Sequence, residues 1–188
     1  MTEILRTERL VLRRFTLEDL DLLLEMHRDE ATMRHVGGVL TPQQSLGMLQ
    51  ARIIQYYADN PGLGIWLTQE RATGQRVGMH LLNHIQGETL VQVGYVLHRD
   101  YWGRGYATEM AHAILRYGFR ELALPRIHAI ANHGNLESQR VLLKCGLHRN
   151  GDRFFPHPAY APSGPLAFFE RGAAEWLAWD ESRATSLA

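Results

Sequence analysis

The sequence predicts a mixed α/β fold, with helices flanking a central sheet of about seven mostly antiparallel strands. Three observations lead there. Turn signals join the strand-like runs 64–70, 75–86 and 89–97, and short turns make neighbouring strands antiparallel. Apolar residues at helical spacing follow Tyr106 and a second short helix ends at Lys144 and Gly146, so the second half of the chain alternates strand, helix, strand, helix, strand. No internal repeat, low-complexity run or linker divides the 188 residues, a length that suits one domain spanning 1–188.

The elements follow in order. RTERLVLRRF (6–15) mixes apolar and β-branched positions with outward arginines and reads as a first strand. Thr16 and Asp19 have capping-box spacing, and Leu17, Leu20, Leu23, Leu24 and His27 then recur at helical intervals to about Asp29. Thr41-Pro42-Gln43-Gln44 is a stronger helix start, with an N-cap threonine, proline at the first helical position and glutamine at the capping-box position. Leu46, Leu49, Ile53, Ile54 and Tyr57 form that helix's buried stripe. EATMRHVGGVL, between the two helices, is polar with paired glycines and reads as a mobile connection.

After the three hairpin-linked strands, Ala107, Met110, Ala111, Ile114, Leu115, Gly118 and Leu122 place a helix from Tyr106 to near Glu121. RIHAIA (126–131) is the next strand, and a short helix over 136–144 ends at Lys144 with Gly146 as its cap. Strands near 147–154 and 165–170 flank the loop FPHPAYAPSG, and AAEWLAW reads as a last helical turn or two.

Lys plus Arg equals Asp plus Glu at 20 each, so no overall positive field draws the chain to nucleic acid or to an anionic membrane. Cys145 is the single cysteine, which excludes a disulfide within the chain and points to a reducing cytoplasm. MTEILRTERL lacks the tripartite pattern of a signal peptide, and no apolar run reaches the ~18 residues of a membrane span. A soluble cytoplasmic protein is expected.

RDYWGRGYATEM (99–110) carries the most chemistry. A strand ending near Leu97, a loop with Gly103 and Gly105, and a helix from Tyr106 place unpaired N–H groups at a helix N-terminus, where an anion is favoured. The glycines let the main chain approach a ligand, and Thr108 adds a hydroxyl. A tight turn with no ligand is the plain alternative. A P-loop is excluded because no lysine follows the glycines. A dinucleotide fold fits poorly: Thr108 stands where its third glycine belongs, and the next strand ends Ala131-Asn132-His133 without an acid.

VGYVLHRDYWGRGYATEMAHAILRYGF followed by RIHAIANHGNLESQRVLLKCGL resembles the GNAT superfamily of acetyl-coenzyme A dependent N-acetyltransferases. More narrowly it is similar to the branch that acetylates protein N-termini, the ribosomal-protein alanine and serine N-acetyltransferases. The opening TERLVLR, the W-G-x-G-Y-A-T-E loop and the N-x-x-S-x-x-x-L-x-K-x-G helix come in the family's order. The resemblance implies a sheet splayed into a V and acetyl-CoA as the acetyl donor, without a metal. It implies an amine-bearing peptide or small molecule as acceptor, and it allows a homodimer.

The resemblance implies a pyrophosphate loop of Trp102, Gly103, Arg104, Gly105, Tyr106, Ala107 and Thr108. It implies that the pantetheine arm pairs with the strand end Val96, Leu97 and His98, and that Asn135 holds the arm by its amide. The superfamily usually begins the loop with Gln or Arg; an aromatic such as Trp102 is frequent in the N-terminal branch. Asn135, Ser138 and Leu142 share one helix face. Many members have a tyrosine at the position of Leu142 to protonate the departing thiolate, which leucine cannot do; the N-terminal branch is thought to use the serine one turn earlier, here Ser138.

Acetyl transfer also needs an oxyanion donor, for which a backbone N–H near Leu97 serves, and a neutral amine. Many relatives carry a glutamate where this chain has Gln92. His80 is a candidate base, although a lone strand histidine is often structural, and Glu70 and Glu88 are further options. An α-amine of pKa ~7.7–8.0 needs less help than a lysine of ~10.4, which favours an α-amine acceptor. His80 and His84 on one strand would stand ~13 Å apart, too far to chelate a metal together. Cys145 reads as packing. Arg34 and His35 in MRHVGG, together with Trp66 and Tyr160, match family regions that flank the amine. A small-molecule acceptor and a non-catalytic coenzyme A sensor are the competing readings.

Overall fold

The computed structural model describes residues 3–186. Strands β1 (Glu3–Arg6) and β2 (Leu10–Arg14) form an antiparallel hairpin, so the run 6–15 holds a turn. Thr7 N–H donates to Leu10 C=O at 2.9 Å, and Leu10 N–H donates to Thr7 Oγ1 at 3.0 Å. The alternation of arginine and apolar residues masked this turn. β3 (Gly64–Glu70), β4 (Arg76–His84), β5 (Val91–Leu97), β6 (Arg126–Ala131), β7 (His148–Arg153) and β8 (Leu166–Gly172) complete an eight-stranded sheet of order β1-β2-β3-β4-β5-β6-β8-β7. All neighbours are antiparallel except β5 and β6.

That parallel pair positions the site. The register joins β5 to β6 at Gln92↔His128 alone, so the strands part toward Leu97 and Ala131. The loops that leave those two ends carry the Gly103–Gly105 turn and Asn135.

Helix α1 (Leu20–Arg28) follows a short 3-10 turn whose Asp19 carboxylate accepts from Thr16 N–H at 2.9 Å. Asp19 and Arg13 also form a buried two-pronged ion pair with both bonds at 2.7 Å. The 30–40 connection begins with one helical turn, α2 (Glu30–Met33), because Asp29 caps it by accepting from Thr32 N–H. α3 (Pro42–Gly47) starts at the expected capping box. It then runs into a π segment, Met48–Ile54, and a last turn, α4 (Tyr56–Asp59). The bond from Gln55 N–H to Gln50 C=O spans five residues and widens the turn. Leu49, Ile53 and Tyr57 are buried at intervals that suit it, whereas Leu46 is left exposed.

α5 (Tyr106–Arg120) buries Met110, Ala111, Ile114 and Leu115 against the sheet, and α6 (Leu136–Lys144) follows β6. α7 (Ala173–Ser186) is much longer than a turn or two. Its fully buried Trp176 donates from Nε1 to Cys145 C=O at 2.8 Å, and Asp180 accepts two bonds from Arg116 of α5. Among the described residues no helix is long and apolar enough to cross a membrane.

Candidate active site

The loop after β5 is built to expose amides. A 3-10 turn, Arg99–Tyr101, leads to Trp102, whose indole N–H donates to Leu97 C=O at 2.8 Å. Gly103 and Gly105 have φ of +74° and +80°, the left-handed region that a side chain makes costly. A Cβ on Gly103 would meet nothing within 4 Å, so the space over the loop is open to a ligand. Gly105 is the N-cap of α5, and the first-turn amides of Tyr106, Ala107 and Thr108 have no helical carbonyl to bond. With the positive end of a 15-residue helix behind them, these amides could hold an anion such as phosphate.

The strand end divides its backbone between two sides. His98 N–H donates to Val77 C=O at 3.0 Å, and antiparallel alternation then commits Val96 to β4 through its partner Met79. The backbone groups of Tyr95 and Leu97 face the gap. Of the three residues expected to pair with a pantetheine arm, Leu97 alone turns its backbone toward the gap, and its C=O accepts there from Trp102 Nε1. Val96 and His98 are therefore corrected as main-chain partners. The His98 ring instead accepts from Asp100 N–H and lies 3.5 Å from Glu25.

Across the gap, Asn135 caps α6: its Oδ1 accepts from Ser138 N–H at 3.1 Å, which leaves Nδ2 as the group that can meet a ligand. Tyr95 of β5 reaches over to Ser138, donating to its C=O at 2.9 Å with its hydroxyl 3.1 Å from Ser138 Oγ. Burial pushes the Tyr95 phenol well above its usual pKa, so it stays a neutral O–H. Leu142 is buried. Sequence reasoning missed Tyr95, although VGYVL was in view; nothing in a strand pattern tells which side chain will cross to a helix 43 residues away.

His35 also arrives at this gap. A Cβ on Gly134, in the loop before α6, would lie 3.4 Å from His35 Cε1, so the connection after α2 meets the loop that carries Asn135. Arg34 beside it is exposed. Trp66 is corrected: at 2% exposure it is a core residue, edge-on to Tyr117 and paired with His80. Tyr160 is half-buried; its hydroxyl accepts from Gln86 N–H at 3.1 Å beside Phe155 and His157.

The expected bases fare poorly. His80 is fully buried, shares a 2.7 Å hydrogen bond with Thr68 through Nδ1, and has its pKa pushed down to about 3 by burial. It is a neutral core histidine, not an exchange base. Glu70 accepts from Thr73 and from the Tyr106 phenol at the foot of the loop. Glu88 pairs with Arg153 at 3.2 Å in the β4–β5 turn, at the far end of these strands. The Gln92 amide donates to Asn83 at 3.4 Å. Burial pushes the Cys145 thiol up to about 12, consistent with packing.

A family model described as "Acetyltransferase (GNAT) domain" matches residues 9–148. The chain belongs to the GNAT acetyltransferases. The uncharacterized N-acetyltransferase YoaA of Bacillus subtilis (strain 168) is 30% identical over 156 residues, 80% of this chain and 86% of that protein. The match to the uncharacterized protein YkkB of the same organism, 36% identical, spans only 46% of this chain and 52% of that one. A GNAT acetyltransferase structure from Bacillus anthracis superposes with a TM-score of 0.74 at 27% identity, covering 93% of this chain and 100% of that one. Two more distant structures share the fold alone. One is a Salmonella typhimurium acetyltransferase that modifies the N-terminal serine of ribosomal protein L7/L12 (TM-score 0.76, 14% identity, 91% and 99% coverage). The other is the spermidine N-acetyltransferase of Vibrio cholerae with CoA and spermine (TM-score 0.71, 17% identity, 91% and 99% coverage). GNAT membership makes this chain an N-acetyltransferase.

Proposed function

We propose that this GNAT enzyme moves the acetyl group of acetyl-CoA directly to a primary amine, and that the amine is the α-amine of a peptide or protein. The observation that carries the reading is the Tyr95–Ser138 contact across the open end of the β5–β6 gap. It ties a serine hydroxyl to the strand that ends at Leu97 and leads into the Gly103–Thr108 loop.

In this reading those amides and the helix dipole hold the pyrophosphate, and Asn135 Nδ2 holds the pantetheine arm. The neutral amine attacks the thioester carbonyl carbon, and Leu97 N–H donates to the oxygen as it gains negative charge. The attack forms the C–N bond; collapse of the tetrahedral intermediate restores the C=O and breaks the C–S bond. Ser138 Oγ passes a proton to the leaving sulfur, directly or through water, and solvent, which takes up the amine's surplus proton, returns one to the serine.

The acceptor assignment rests on what the candidate bases lack. His80, Glu70 and Glu88 are buried or engaged elsewhere, which suits an α-amine that is already partly neutral near pH 7–8 better than a lysine of pKa ~10.4. In this reading Arg34 and His35 meet the acceptor, which the approach of His35 to Gly134 supports. The single buried cysteine supports a cytoplasmic location. The test is release of coenzyme A with a panel of free-amine peptides, spermidine and an aminoglycoside in parallel. Peptides should turn over fastest; acetylation of spermidine or the aminoglycoside well above every peptide would move the assignment to small molecules.

A further inference from the structure

The opening TERL motif is tied to the glycine loop and to the first turn of α5 by polar contacts of Thr7 and Arg9. Arg9, in the β1–β2 turn, donates from Nη1 to Arg104 C=O at 3.0 Å. Its Nε donates to Glu109 Oε2 at 2.6 Å, and its backbone N–H donates to Glu109 Oε1 at 3.0 Å. Thr7 Oγ1 adds a third bond to Glu109, at 2.6 Å. The guanidinium also lies over the Tyr106 ring, 4.8 Å from its centroid.

The peptide joining Arg104 to Gly105 is trans, so its C=O and N–H point in opposite directions. A carbonyl drawn outward to Arg9 turns the Gly105 N–H inward, to the side of the loop away from the hairpin. Glycine at φ +80° has no steric preference that would hold the peptide plane by itself; something outside the loop must. Glu109 anchors the arginine. Burial alone would raise this carboxylate's pKa, but bonds from Thr7 and Arg9 outweigh it and hold the group below the usual range.

We propose that Arg9 is a positioning residue for the coenzyme A pyrophosphate: anchored on Glu109, it fixes the Arg104–Gly105 peptide plane so that the Gly105 N–H faces the phosphate. The inference rests on the cradle reading of the previous subsection. Arg9 acts through the loop and does not touch the ligand.

The test measures binding of coenzyme A, dephospho-coenzyme A and pantetheine to the wild-type chain and to Arg9→Lys and Arg9→Ala. Losing the fork should weaken coenzyme A about ten-fold in Arg9→Ala and nearly as much in Arg9→Lys, since a single ammonium cannot hold both Glu109 and the carbonyl. Dephospho-coenzyme A, which keeps the pyrophosphate, should lose as much, and pantetheine, which lacks it, should bind all the variants alike. Full affinity in Arg9→Lys would replace the brace with a simple charge effect and overturn the proposal. So would a loss confined to coenzyme A, which means direct contact with the 3′-phosphate, or an equal loss for pantetheine, which means general damage. If the wild-type chain binds pantetheine as tightly as coenzyme A, the cradle itself fails; if it discriminates and the Arg9 variants keep that discrimination, only the brace fails.

Discussion

Replacing Gly105 by valine puts the cradle under a defined strain. At φ +80° a Cβ costs about 1–2 kcal/mol, and the β-branch makes valine worse than alanine. The new Cβ would stand 3.4 Å from Arg9 Nη2, so the added methyls meet the guanidinium that holds the loop. Two responses are open, and both weaken the donor site. If the backbone keeps its conformation, Arg9 is displaced. If the residue relaxes to negative φ, the Gly105 N–H turns out of the cradle and one hydrogen bond to a charged group is lost, about 1.5–3 kcal/mol or roughly 10- to 100-fold in affinity. Stability should change little beyond the strain, about 2–4 °C in Tm per kcal/mol for a chain of this size. Isothermal titration with acetyl-CoA, paired with a thermal melt, reads both quantities. Unchanged affinity in a folded Gly105→Val protein would refute the placement of the pyrophosphate on this loop.

Ser138→Ala should lower kcat by about 100-fold or more, as expected for loss of a general acid, while the Kd for coenzyme A stays the same; unaltered turnover would remove Ser138 from the chemistry. Tyr95→Phe keeps the ring and deletes the O–H that orients Ser138, so a smaller, roughly ten-fold loss in kcat is expected, with about 1 kcal/mol of stability. Stability should fall as pH drops from about 6.5 toward 3. Burial depresses His80 from 6.5 to about 3 in the folded chain, so the unfolded chain binds more protons throughout that window, at up to about 1.4 kcal/mol per pH unit. His27, also depressed by burial, acts in the same direction. Urea denaturation of wild type and His80→Leu between pH 7 and 4.5 checks the sign; a slope that the substitution leaves unaltered would contradict it.

The helices and hairpins with local signals were legible in the sequence almost to the residue. β3, β6 and α6 fall on the expected ranges, because turn chemistry, a strand-length apolar run and a glycine cap act within a few residues. The glycine turn before α5 was legible for the same reason: positive φ at Gly103 and Gly105 is a local need that only glycine meets cheaply. What failed depends on distant neighbours. Trp66 and His80 looked available from the strand pattern, but both lie under α5 and pair with each other across β3 and β4. Val96 and Leu97 differ only in hydrogen-bonding parity, which the β4 register sets. Tyr95 and Arg9 bond Ser138 and Glu109, partners 43 and 100 residues away, and no spacing rule reaches that far. The π segment within 48–54 gave no sequence signal at all.

One peptide can put the central claim to the test. It carries a free α-amine and an internal lysine, is incubated with acetyl-CoA and the enzyme at pH 7, and is then mapped by tandem mass spectrometry for the site of the added acetyl group. Acetylation is expected at the N-terminus, with coenzyme A released in equal amount and both signals lost when the α-amine is blocked. Acetylation of the lysine instead, or of neither amine while a polyamine is acetylated under the same conditions, would contradict it.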